Sequence, residues 1–392
     1  MELLFLLLPI AALSGWLLAR VQYNKTKLSH SSALNPDYFK GLNFLLNEQP
    51  DKAIDIFIKL LEVNSETVET HLALANLFRR RGETDRAIRI HQNLIARPTL
   101  TTLQRDNVLV ELGLDYMNAG VLDRAEHLFL ELLSRASPPI EAYKQLLRLY
   151  QQEKKWQQAI DMAIRFQSHA KEDIGPTIAQ FYCELAEQQK LSEPNSILPI
   201  LKKAHYYDAN CVRASLLEAD CLMRSENVRK AIKVLQNIEK QNVNYISEAL
   251  QRLLSCYQNT HNLSGFNDWL HSLLNRHPTI TSARIMLAQV LQMQHGSQAA
   301  HDYLYQQLQL HPSVEGLHTL MSLDKPSDQT IVPLIKGITH TMVRCGHRYS
   351  CQNCGFSGKT MHWQCPSCKR WNSVKPTEIH LSSLESLLEL SQ

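Results

Sequence analysis

DRAIRIHQNLI at residues 85–95 returns, altered but recognisable, as DKAIDIFIKLL at 51–61, DRAEHLFLELL at 123–133, QQAIDMAIRF at 157–166 and RKAIKVLQNI at 229–238. Superposing these blocks places one small or medium residue at a shared register: Ala53, Ala87, Ala125, Ala159, Ile197, Ala231, Gly265 and Ala299. Successive members stand 34, 38, 34, 38, 34, 34 and 34 residues apart. Amphipathicity alone explains a 3.6-residue period within each block, but not the recurrence of the block itself.

A 34-residue period is that of the tetratricopeptide helix-turn-helix repeat, in which each block opens a second helix. The first helices agree: Gly41, Ala75, Gly113 and Ala219 recur at one position, with Phe44, Phe78, Tyr116 and Leu222 three residues later. The small residue lets two helices approach closely, and the large one fills the space between neighbouring units. Gly82 and Gly120 fall between the helices, where a helix C-cap needs a left-handed residue. The expectation is an all-α superhelical solenoid of about eight degenerate units over 34–323, with the four-residue insertions in loops. Its binding face would come from the first helices: Leu72, Asn76 and Arg79, then Val110, Leu114 and Met117, then Lys144, Arg148 and Gln151.

Before the repeats, the chain runs from Leu3 to Ala19 without a charge, and Arg20, Lys25 and Lys27 follow. That length lies at the lower edge of what spans a bilayer. A cleaved secretory signal carries its positive charge ahead of the apolar run, and here the order is reversed. Residues 1–20 therefore read as a transmembrane anchor with the N-terminus outside and the bulk of the chain on the cytoplasmic side, joined to the repeats by a linker at 21–33.

The whole chain has 41 basic and 38 acidic residues, a balance that does not point to a dedicated nucleic-acid binder. Of its nine cysteines, Cys183, Cys211, Cys221 and Cys256 lie singly in helical patterns. Scattered thiols of that kind suit a reducing compartment and core packing.

After a proline-containing linker at 324–344, a different pattern appears at 345–376: Cys351-x-x-Cys354, ten residues, then Cys365-x-x-Cys368. A C-x-x-C turn sets two thiolates on one side of an ion, and two such turns complete a tetrahedral sulfur site. Cys351, Cys354, Cys365 and Cys368 are the expected ligands of one metal ion, zinc or iron, with Cys345, His347 and His362 outside the set. Tyr349, Phe356, Trp363 and Trp371 offer the packing that a domain this small needs. The connection ahead of it is partly apolar at Ile331, Val332, Leu334, Ile335 and Ile338, unlike a flexible tether, so the knuckle is expected to dock on the repeats and bury Trp363 or Trp371. Gly358-Lys359-Thr360 imitates the end of a phosphate-binding loop, but Asn353 stands where its first glycine belongs. The chain carries no zincin motif and no nucleophile elbow, and it reads as a non-enzyme. Residues 377–392 form a tail.

MELLFLLLPIAALSGWLLAR at the start, HLALANLFRRRGETDRAIRIHQ at 71–92 and YSCQNCGFSGKTMHWQCPSCKRW at 349–371, in that order, together resemble the lipopolysaccharide assembly protein B family (LapB, also called YciM) of Gram-negative bacteria. The resemblance implies an inner-membrane adaptor with a rubredoxin-like knuckle, whose partners are the membrane protease FtsH and the lipid A deacetylase LpxC, and which has links to lipopolysaccharide transport proteins. It also implies that the four knuckle cysteines are the metal ligands. A structural scaffold for envelope assembly is the alternative expectation.

Overall fold

The computed structural model describes residues 36–46, 68–98, 100–190, 197–323 and 346–377, with single positions between them. The expected anchor at 1–20, Ala53, Cys345 and the C-terminal tail lie outside the described residues. No helix among the described residues is long and apolar enough to cross a membrane.

Two compact units divide the chain, Met1–Leu149 and Tyr150–Gln392. The first contains α1 (Pro36–Leu46), α2 (Val68–Arg80), α3 (Thr84–Ile95), α4 (Thr102–Asn118), α5 (Leu122–Leu133) and most of α6 (Ile140–Gln152). In the second are α7 (Trp156–Ala170), α8 (Gly175–Lys190), α9 (Ile197–Tyr207), α10 (Val212–Arg224), α11 (Val228–Asn242), a 3-10 turn (Val243–Tyr245), α12 (Ile246–Asn259), α13 (Leu263–Arg276), α14 (Thr281–His295), α15 (Ser297–Leu310) and α16 (Val314–Leu323). A three-stranded antiparallel sheet follows, β1 (Tyr349–Cys351), β2 (Ser357–Gly358) and β3 (Val374–Pro376), in the order β2-β1-β3.

Second helices bury a triplet at positions 0, +4 and +7 of one face. It is Ala87, His91 and Leu94 in α3; Ala125, Phe129 and Leu132 in α5; Ala159, Ala163 and Phe166 in α7. Ile197, Leu201 and Ala204 continue it in α9, and Ala231, Leu235 and Ile238 in α11. Such a stripe buries one face of a 3.6-residue helix and leaves the other to charge. In α13 and α15 the register departs from the sequence spacing: the buried residues are Phe266, Leu270 and Leu273, then Ala300 and Leu304. Gly265 and Ala299 sit one residue off this face and are only half-buried. The reason is the apolar triplet itself, which sets how a helix turns toward the core more strongly than one small residue does. Phe266 is held there by stacking on Tyr257 at 5.1 Å.

The turns between paired helices share one geometry. Gly82, Gly120, Lys154, Glu226 and His261 all have positive φ, each two residues past the end of a first helix. The next amide in each case returns to a carbonyl five residues back, as in Glu83 to Phe78, Val121 to Tyr116, Lys155 to Tyr150, Asn227 to Leu222 and Asn262 to Tyr257, at 2.9–3.0 Å. This is the Schellman closure, which satisfies carbonyls that the helix end leaves open. Gly113 serves packing instead: a Cβ there would lie 2.5 Å from the ring of the fully buried Phe129.

Candidate metal centre

β1 ends on Cys351, and the chain turns back at Gly355 with φ +74. The second knuckle repeats the turn at Lys369, φ +58. Matching bonds brace the two loops: Gly355 N–H to Cys351 O at 3.0 Å and Lys369 N–H to Cys365 O at 2.9 Å. Cys351 N–H likewise reaches Phe356 O and Cys365 N–H reaches Arg370 O. The sequence thus builds the same hairpin twice, once with glycine at the left-handed position and once with lysine.

These loops bring four sulfurs together. Cys351 Sγ lies 3.8 Å from Cys368 Sγ, Cys354 Sγ lies 3.7 Å from Cys365 Sγ, and all four are within 4.8 Å of one another. A tetrahedron with metal–sulfur bonds of about 2.3 Å has sulfurs about 3.8 Å apart, so the donor set fits one tetrahedral ion. Cys351 and Cys365 are buried, Cys354 is exposed and Cys368 lies between. The environment is built for thiolates. The Ser373 hydroxyl, 3.3 Å from Cys351 Sγ, and the backbone amides of Cys354 and Asn353 bring Cys351 down to about 6. The backbone amide of Arg370 lowers Cys368. Burial pushes Cys365 up to about 11 in spite of the amides of Cys368 and Ser367, a cost that a bound cation would offset by holding the thiolate directly. His347 is exposed, and His362 is directed to Thr360 Oγ1 at 3.1 Å.

The knuckle docks on the second unit, mainly on its first helices. Trp371 donates its indole N–H to Gln151 Oε1 at 3.1 Å and meets Trp156 and Phe181 edge-on at 6.5 and 5.9 Å. Gln364 reaches the same Gln151 oxygen at 3.2 Å. Gln180 donates to Asn372 Oδ1 at 2.8 Å, and Tyr245 donates its hydroxyl to Val374 O at 2.9 Å. Trp363 lies on Tyr245 at 5.5 Å and beneath the guanidinium of Arg213 at 5.9 Å. Tyr349 donates to Glu248 Oε1 at 2.9 Å. Burial pushes the Tyr245 and Tyr349 phenols up to about 12, with the Glu248 charge adding to the second, so both remain donors at neutral pH. The expected docking is therefore present, Trp371 on α6, α7 and α8 and Trp363 on α10 and the 3-10 turn, but each tryptophan is half-buried rather than buried. The receiving residues Gln180, Arg213, Tyr245 and Glu248 had no local signal in the sequence, because their partners are 101 to 192 residues away where a bond joins them.

Of the expected protein-binding residues, Gln151 is the one that receives the knuckle. Lys144 and Arg148 are exposed on α6, while Leu72, Leu114 and Met117 are half-buried and Val110 is buried. Asn76 and Arg79 are engaged within the first unit. Arg79 donates to Glu111 Oε2 at 2.6 Å, Asp115 Oδ1 at 2.9 Å and Asn76 Oδ1 at 2.6 Å. Asp115, fully buried, also meets His91 Nδ1 at 2.5 Å. Opposite charges about one repeat apart were the sequence signal for this network.

Residues 349–376 match the family described as the rubredoxin metal binding domain, and residues 70–103 match the tetratricopeptide repeat. Over 382 residues the chain is 39% identical to lipopolysaccharide assembly protein B of Escherichia coli (strain K12), covering 96% of this chain and 98% of that protein. The protein of that name from Haemophilus influenzae is 35% identical over 392 residues, with coverage of 96% and 98%. Among solved structures, a tetratricopeptide repeat protein from Parabacteroides merdae covers 70% of this chain and 98% of its own at 11% identity, with a TM-score of 0.33.

Proposed function

The chain belongs to the lipopolysaccharide assembly protein B family, and we propose that it serves lipopolysaccharide assembly as a membrane-tethered adaptor that holds the deacetylase LpxC beside the protease FtsH. The observation that carries this reading is the division of labour along the repeats. In the second unit the first helices from Gln151 to Glu248 receive the chain's own knuckle. In the first unit Lys144 and Arg148 remain exposed on a first helix, open to a partner. The metal, zinc or iron, acts here as a structural clamp: its four ligands are all supplied by the chain, and no position is left for a substrate.

An adaptor needs no catalytic group. Tethering two proteins to one membrane-anchored chain raises their effective concentration to about the millimolar range. The anchor at 1–20, with the repeats on the cytoplasmic side, supplies that tether, and the apolar run followed by Arg20, Lys25 and Lys27 supports it. A reporter fused after residue 30 checks the orientation, and periplasmic activity there contradicts it. The central experiment depletes the protein and follows the half-life of LpxC. A lengthened half-life is expected. An unchanged half-life with a defective envelope would point to a scaffold role in assembly instead.

A further inference from the structure

Of the cysteines outside the knuckle, two have been brought together by the fold. Cys183, in the middle of α8, and Cys211, the residue capping the start of α10, have their sulfurs 3.9 Å apart, and both are buried. Gln180, one turn before Cys183, donates to Cys211 Sγ at 3.4 Å and accepts from Arg213 Nη1 at 3.3 Å. The same Gln180 amide reaches Asn372 of the knuckle, and Arg213 lies over Trp363. Two of the contacts that hold the knuckle therefore begin within three residues of the sulfur pair.

We propose that Cys183 and Cys211 form a reversible disulfide in response to a small peroxide, and that its closure loosens the docked knuckle. The surroundings of the two thiols differ in the way a thiol switch requires. Cys211 is drawn down by the hydrogen bond from Cys183, with help from the backbone amide of Ala214 at the start of α10. Cys183 is held well above its ordinary value by burial. Of the two thiols Cys211 is the one disposed to lose its proton, and the thiolate is the nucleophile.

The chemistry balances. The Cys211 thiolate attacks one oxygen of hydrogen peroxide, the O–O bond breaks, and hydroxide leaves and is protonated to water. The Cys183 sulfur then attacks the resulting sulfenic acid, the S–S bond forms, the S–O bond breaks, and the departing hydroxide takes the Cys183 proton as a second water. The protein loses two electrons and the peroxide gains them. A small dithiol such as dithiothreitol reverses the step by exchange. Because the pair is buried, peroxide enters when the start of α10 opens locally. Bond formation draws the sulfurs from 3.9 Å to about 2.05 Å. That movement takes Cys211 away from the Gln180 amide and pulls the start of α10, which carries Arg213, toward α8.

The test treats the full-length, metal-loaded protein with hydrogen peroxide. It follows cross-linked peptides by non-reducing mass spectrometry, metal content, and hydrogen exchange over residues 371–376. A Cys183–Cys211 cross-link is expected before metal is lost, reversed by dithiothreitol, together with a several-fold faster exchange in that segment. Cys183→Ala and Cys211→Ala, each checked for folding by circular dichroism, should abolish both effects. If Cys183 and Cys211 stay free while the knuckle cysteines oxidise, the disulfide is overturned. If the cross-link forms without a change in exchange, or if the variants show the same acceleration, the coupling to the knuckle is overturned. The cross-link map of the unmutated chain decides the first question without any variant.

Discussion

Trp371 and Gln151, 220 residues apart in sequence, are joined by a 3.1 Å hydrogen bond from indole N–H to amide oxygen. The ring bearing that N–H also packs against Trp156 and Phe181. Trp371→Ala removes bond and ring together and is expected to weaken the second unit by about 2–4 kcal/mol. Trp371→Phe keeps most of the ring and should lose only about 1 kcal/mol, since Gln151 retains its bond from Gln364. Denaturant unfolding followed by hydrogen exchange in α8 measures both. Equal losses in the two variants would show that packing of this ring contributes little.

The four-sulfur site predicts about one metal ion per chain. Cys351→Ser and Cys365→Ser should each release it, as should a strong chelator, because metal binding carries much of the folding free energy of so small a module. Loss of the metal should also lower the melting temperature of the repeats, since a docked body that binds only the folded state stabilises it. Elemental analysis and scanning calorimetry give the two readouts. Retention of the full metal content in either variant would contradict the ligand assignment.

Gly113→Ala places a methyl 2.5 Å from the Phe129 ring and should destabilise the first unit by about 1–3 kcal/mol. Phe129→Leu in the same chain should recover part of the loss. At the turns the sign reverses. Glu226→Gly and Lys154→Gly relieve residues held at φ 58 and 56 and should stabilise their hairpins by up to about 1 kcal/mol. Thermal melts of the three single variants and the double variant test the contrast.

Acid and base act on the second unit through His205, whose imidazole is raised above 6.5 chiefly by its hydrogen bond to Glu218. A raised imidazole favours the folded state most when it is charged. Its contribution is therefore complete below 6.5 and is lost as pH rises through the higher folded value. Glu218→Gln should lower the melting temperature in mildly acidic buffer and leave it unchanged in alkaline buffer. A difference that persists at high pH would mean that Glu218 acts by packing alone.

The repeat was legible because its signal is a distance, and a shared position survives wherever the same face is buried, as at Ala87, Ala125 and Ala159. It slipped by one residue at Gly265 and Ala299 because a single small residue is a weaker marker than the apolar triplet beside it. Reading Phe266, Leu270 and Leu273 as a set would have restored the register. The four sulfurs were legible for a similar reason, since two-residue spacing leaves a thiol pair little freedom. The knuckle's receptor was not. Gln180, Arg213 and Tyr245 are ordinary in their own helices, and only the folded chain brings Asn372, Trp363 and Val374 to them. Asn76 and Arg79 read as open surface for want of one further comparison, with the acids Glu111 and Asp115 about one repeat ahead.

The order in which the chain is made gives the docking a timetable. Gln151 leaves the ribosome 220 residues ahead of Trp371, an interval of roughly ten to forty seconds at about 5–20 residues per second. Once Arg224 has completed α10, the face formed by α6, α8 and α10 can fold but stays uncovered for the rest of that interval, and it closes only when the last-made module has acquired its metal. Each newborn molecule therefore passes through an open form, and a shortage of metal would prolong it.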